Sequence, residues 1–145
     1  MRIAKLLSLG MLACAGVVAA TMALPPAYAQ HDPVYVVRDG LVDQPTFNGY
    51  RRYGESCHRS HGPDGAGSSY APALTESLKS MSYDQFVDVI INGRQNVTKT
   101  SNNVMPAFGT TEDVVLYLDD IYGYLKARSD DKLPRGRPKR IEAAG

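Results

Sequence analysis

Cys57, His58 and His61 place one thiol and two imidazoles within a single stretch, Cys57-His58-Arg59-Ser60-His61. A thiol can enter a covalent bond or hold a soft metal, and an imidazole is a strong donor to iron, zinc or copper. Met105, in the run Val104-Met105-Pro106-Ala107-Phe108-Gly109, adds a thioether, a second soft donor. The glycine- and proline-rich stretch after His61 leads to Pro72, and loops of this length in short chains usually surround something functional.

Two chemistries fit these residues. In the first, Cys57, His58 and His61, with His31 as a distant fourth donor, bind zinc or copper. The spacing is cramped, because neighbours such as Cys57 and His58 point apart on a regular helix. This reading also leaves the Met105 run unused. In the second, Cys57 carries a covalent cofactor and His61 ligates its metal, as in the haem-attachment pattern C-x-x-C-H, with Ser60 where the second cysteine belongs. A third reading keeps the fold and holds no metal, as an interaction protein.

The start of the chain bears on the thiol. Arg2 and Lys5 precede an apolar stretch over 6–24, Pro25-Pro26 break it, and Ala27-Tyr28-Ala29 supplies a cleavage signal. Residues 1–29 read as a signal peptide, cleaved near Ala29/Gln30, leaving an exported protein without a stable membrane span. The apolar stretch is long enough for an uncleaved anchor and Cys14 could be a poor lipoprotein site, but the prolines and the Ala-x-Ala sequence favour cleavage. Of the two cysteines only Cys57 then remains, so no intramolecular disulfide can form.

The elements that must position these groups follow from periodicity and caps. Residues 30–45 read as an extended arm with one short strand at most. A helix is expected over 46–57, capped by Thr46 or Asn48, with Phe47, Tyr50 and Tyr53 or Gly54 on its apolar face. Gly49 beside that face would admit the close approach of another helix. Ser82 with Gln85 forms a capping box for a helix over 82–92, stopped by Gly93. Residues 94–111 read as polar loop, and 111–127 as a final helix with Val114, Val115, Leu118, Ile121, Tyr122 and Leu125 on one face. Met81, just before the capping box, is expected to fill a gap in the core.

Lys132, Arg135, Arg137, Lys139 and Arg140 crowd the end, while acidic residues outnumber basic ones over 30–131. With Pro134 and Pro138 among them, residues 130–145 read as a basic, disordered tail, and no nucleic-acid partner is expected. The acidic excess fits docking to a basic patch on a partner.

The ordered set of Cys57 to Gly67, Pro72-Ala73-Leu74 and the Met105 run resembles a class I c-type cytochrome over 46–129. That resemblance implies an all-α fold with about four helices around one haem c. It implies His61 and Met105 as axial iron ligands, with the Pro72 carbonyl accepting from the histidine ring. Ser60 departs from the pattern, since a hydroxyl cannot make the thioether a thiol makes with a haem vinyl, so Cys57 supplies a single link. The protein would be a periplasmic electron carrier and not an enzyme. Through Tyr70-Ala71-Pro72-Ala73-Leu74, Asn92-Gly93-Arg94 and the stretch to Gly109, it resembles cytochromes of methanol metabolism. Those accept electrons from a periplasmic quinoprotein alcohol dehydrogenase and pass them to another cytochrome or an oxidase.

Overall fold

Asp43 starts the first helix. Its side chain accepts from the Thr46 backbone N–H at 3.1 Å, and Pro45 occupies the first turn, where a missing N–H costs nothing. The computed structural model describes residues 34–97 and 102–142, all within one of the two units of the chain, His31–Gly145. The expected signal peptide, His31 and the tip of the 94–105 segment lie outside the described residues. Helix α1 is thus Gln44–Ser56, two residues earlier than predicted, and Thr46 is a buried helical residue instead of the cap.

The short helix α2 (His58–His61) follows, then a 3-10 turn at Pro63–Gly65, α3 (Leu74–Ser77) and α4 (Tyr83–Asn92). Both arms of the predicted capping box on α4 are present: Ser82 Oγ accepts from Gln85 N at 3.2 Å, and Gln85 Oε1 accepts from Ser82 N at 2.9 Å. The predicted final helix is two helices, α5 (Glu112–Leu116) and α6 (Leu118–Ser129). Tyr117 between them has φ −110° and ψ 23°, outside the helical range. The break takes Val115 off the inner face, where it is 41% exposed, while Ile121 and Leu125 remain buried.

Strands replace two stretches expected without regular pairing. In the arm, β1 (Val37–Arg38) and β2 (Leu41–Val42) form a hairpin through Asp39 and Gly40, both at positive φ as a tight two-residue turn requires. The polar segment after Gly93 pairs as β3 (Arg94–Val97) with β4 (Asn102–Met105), Arg94 opposite Met105. Polar, asparagine-rich strands carry no apolar alternation from which pairing can be read. The expected helical architecture holds in the main, and its all-α character and count of about four are corrected: the described residues hold six α-helices and two small sheets.

The C-terminal stretch is the larger correction. Strand β5 (Lys139–Arg140) pairs in parallel with β2, giving the sheet order β1-β2-β5, so residues expected to form a disordered tail return to the start of the domain. Leu133 is buried, and the guanidiniums of Arg137 and Arg140 lie over the ring of Phe47 at 5.8 and 5.3 Å. Isolated anchors in a charged, proline-broken sequence leave no periodic signal. A charge count alone reads such a segment as solvated.

The centre of the fold is the crossing of α1 with α6. A Cβ on Gly49 would sit 1.9 Å from the Asp120 carbonyl oxygen, so this glycine is what lets the two backbones touch. Around the crossing, the Tyr124 ring stands 5.6 Å from both Tyr50 and Tyr53. No helix among the described residues is long and apolar enough to cross a membrane.

Candidate functional site

The turn that ends α1 sets the first side chains. His61 N donates to the Cys57 carbonyl at 3.0 Å, so thiol and imidazole stand four residues apart on one face of α2. Both are buried, whereas His58, Arg59 and Ser60 are exposed. The cysteine and the second histidine thus face inward together, and His58 points away from them.

Gly62 closes this turn at φ 72°, a left-handed conformation, and a Cβ there would fall 2.2 Å from the Gly67 carbonyl oxygen. The loop folds back so that Gly67 N donates to the His61 carbonyl at 2.8 Å. From within the core, the Tyr53 hydroxyl donates to the Gly62 carbonyl at 2.5 Å and accepts from Gly65 N at 2.9 Å. Tyr53 is therefore more than the packing residue that its period suggests. The aspartate of the loop, Asp64, is buried and bonded to the C-terminal segment, a role that no sequence signal marked.

His61 Nδ1 lies 3.0 Å from the Pro72 carbonyl oxygen. A carbonyl can only accept, so Nδ1 carries the proton and Nε2 keeps its lone pair for a metal. The segment bearing Met105 is hitched to the end of α4: Phe108 N donates to Ile90 O at 2.9 Å and Gly109 N to Ile91 O at 3.2 Å. Gly93 makes the approach possible, since a Cβ there would lie 2.6 Å from the Met105 carbonyl oxygen.

These elements enclose a cavity of about 630 Å³ lined by Cys57, Ser60, His61, Pro72, Met105 and Phe108. Its remaining wall is mainly apolar, from Leu74, Phe86, Val89, Ile90, Ile121 and Leu125, with Arg59 and Arg94 as its cations. The volume lies in the range of cofactor sites, and thiol, imidazole and thioether converge on it. Met81 borders the same cavity, as well as packing on the core. A planar apolar group bearing a metal and a reactive vinyl fits this donor set. The zinc or copper arrangement is not assembled: among the described residues no three Cys, His, Asp or Glu side chains are grouped to hold a metal ion.

Burial sets the protonation of the thiol. Cys57 is pushed up to about 11 by desolvation, and Tyr53 up to about 12, again mainly by burial. Both groups bind their protons more tightly folded than unfolded. Their contribution to stability is complete below pH ~9 and is lost as pH rises through the folded values. Urea midpoints of the cofactor-free protein are expected to fall as pH rises from about 9 through about 11, and less steeply for Cys57→Ala. A flat profile in both proteins would overturn this assignment.

No family model matches the chain. Over 115 residues it is 51% identical to cytochrome c-553I of Paracoccus denitrificans, covering 79% of this chain and 51% of that protein. The chain thus spans about half the length of that relative. It is 42% identical over 96 residues to cytochrome c-555 of Methylococcus capsulatus, covering 66% of this chain and 72% of the relative. The crystal structure of the c-type cytochrome XoxG from Methylobacterium extorquens AM1 superposes with a TM-score of 0.63 at 38% identity, covering 80% of this chain and 77% of that one.

Proposed function

This chain belongs to the c-type cytochromes, and we propose that it is a periplasmic monohaem electron carrier attached to its haem by a single thioether at Cys57. The observation that carries this reading is the convergence of Cys57, His61 and Met105 on one mainly apolar cavity. When bound, haem c supplies one-electron exchange between ferrous and ferric iron.

The residues of the chain do the rest. Pro72 fixes the His61 tautomer through its carbonyl and makes the free nitrogen a stronger donor. Met105, held against α4 by the Phe108 and Gly109 hydrogen bonds, would supply a thioether to haem iron, a donor that raises the potential. Phe86, Ile90 and Phe108 on the cavity wall would exclude water from a bound haem. Held by both His61 and Met105, the iron would keep no position open for a substrate. Cys57 tethers the cofactor, which keeps it at an effective concentration of ~mM or more even with Ser60 at the lost second attachment position.

Co-expression with cytochrome maturation proteins tests the reading. The expected product has a Soret band and an intact mass increased by one haem, with residues 1–29 removed. Metal without colour would support a metal module, and neither would support an interaction protein. In the loaded protein, Met105→Ala is expected to lower the potential and remove the thioether signature, whereas Met81→Ala leaves both in place. The reverse result would move the ligand to Met81.

The donor belongs to the same proposal. We read it as a periplasmic quinoprotein alcohol dehydrogenase of methanol metabolism, with another cytochrome or an oxidase as acceptor. The motif resemblance through Tyr70-Ala71-Pro72-Ala73-Leu74 and Asn92-Gly93-Arg94 supports it. Reduction by such a dehydrogenase in a stopped-flow mixture checks it. Failure of that reduction while smaller electron donors succeed would remove the donor and leave the carrier.

A further inference from the structure

We propose that the C-terminal segment 130–142 is a clasp on the loop presenting His61, with Asp64 and Arg135 as positioning residues for that histidine; this rests on the haem reading above. Asp64 lies three residues beyond His61 and is 9% exposed. Its carboxylate accepts from Gly136 N at 3.2 Å, Arg135 Nε at 3.3 Å and the Tyr124 hydroxyl at 3.4 Å. Its backbone carbonyl accepts from Arg128 Nε at 3.5 Å, and Arg128 Nη1 in turn donates to the Leu133 carbonyl at 2.5 Å.

Asp64 also holds φ 59° and ψ 18°, a left-handed conformation that a residue with a side chain keeps when its surroundings over-determine it. Two of its three side-chain donors come from the C-terminal segment, so that segment supplies most of the constraint. Tyr53 braces the loop from inside the core, and the clasp braces it from outside. Held on both sides, the loop cannot swing His61 away from the cavity or admit water beside it. Arg135 is 67% exposed, so its ion pair alone is weak, and Gly136 N, at the shortest of the three distances, adds a hydrogen bond that does not depend on an exposed charge.

Three full-length variants test the clasp. Asp64→Gly and Asp64→Asn both tolerate positive φ, but only asparagine keeps an acceptor. In Asp64→Gly, exchange of the Gly65 and Gly67 amide hydrogens is expected to rise about tenfold, the factor that one lost hydrogen bond of ordinary strength is worth. Asp64→Asn should remain within about threefold of the unaltered protein on the same scale, and the amides of α4 should not change in either. In the haem-loaded protein, water admitted beside the iron is expected to set the potential of Asp64→Gly below that of Asp64→Asn, which has lost the same charge, by up to about 59 mV, a factor of ten for one electron. Arg135→Ala should show smaller shifts of the same sign, and it serves if Asp64→Gly does not fold.

Unchanged Gly65 and Gly67 exchange in Asp64→Gly or, failing that, in Arg135→Ala would overturn the proposal, as would an equal rise throughout α4. If the unaltered protein takes up no haem, the electron-carrier reading fails separately. The exchange pattern of the haem-free chain then decides whether the clasp exists.

Discussion

Replacing Cys57 by serine is expected to leave no haem that survives extraction into acidified acetone, while replacing Ser60 by cysteine is expected to add a second bond. With a single link at Cys57, one vinyl group of the unaltered protein is expected to stay unsaturated, placing the reduced α-band at longer wavelength than in an ordinary c-type haem. Ser60→Cys moves that band to shorter wavelength and gives the pyridine haemochrome of two saturated vinyls. The structure places position 60 on the wall of the cavity that Cys57 also lines, so the new thiol would meet the same cofactor. His61 and its bond to Pro72 are untouched by either change, which separates attachment from ligation. If the unaltered protein already reads as two saturated vinyls, the single link is refuted.

Two glycines of α1 are expected to respond to alanine with opposite signs. Gly49→Ala drives a methyl group into the Asp120 carbonyl at 1.9 Å and towards Tyr124 Cβ at 2.9 Å, both on α6. Backbone cannot yield as a side chain does, so the helices must separate, at a cost of about 3 kcal/mol or more. For a domain of this size that is a fall in Tm of roughly 12–24 °C. At Gly54 nothing lies within 4 Å of an added Cβ, and alanine there should stabilise by about 0.5–1 kcal/mol through helix propensity. Thermal melts of the two variants decide it, and equal melting temperatures would show that the crossing does not depend on Gly49.

What could be read from the sequence was what rests on local chemistry. The α4 capping box, the stop at Gly93 and the inward pair Cys57 and His61 each depend on residues a few positions apart, and each is present. The close approach at Gly49 was legible because glycine beside an apolar face has few other uses. Asp43 was missed as the α1 cap because the apolar period begins only at Phe47, after the cap and its proline. Pairing of β3 with β4 left no trace because hydrogen bonds between polar strands do not require alternating side chains. Asp64 was missed for a different reason: its partners, Tyr124, Arg135 and Gly136, are distant in sequence, and only the fold brings them to one carboxylate.

The parallel pairing of β2 with β5 orders events in time as well as in space. Val42 meets Arg140 across nearly the whole domain, so the central strand of that sheet gains its second neighbour only when the last residues have arrived. Closing so long a loop carries its entropy cost before any contact rewards it, and such pairings form late. Until then the Asp64 loop lacks its outer donors. The expected order is therefore that the Cys57 turn forms from its local hydrogen bonds before the C-terminal segment docks, an interval in which a thiol destined for burial is open to modification.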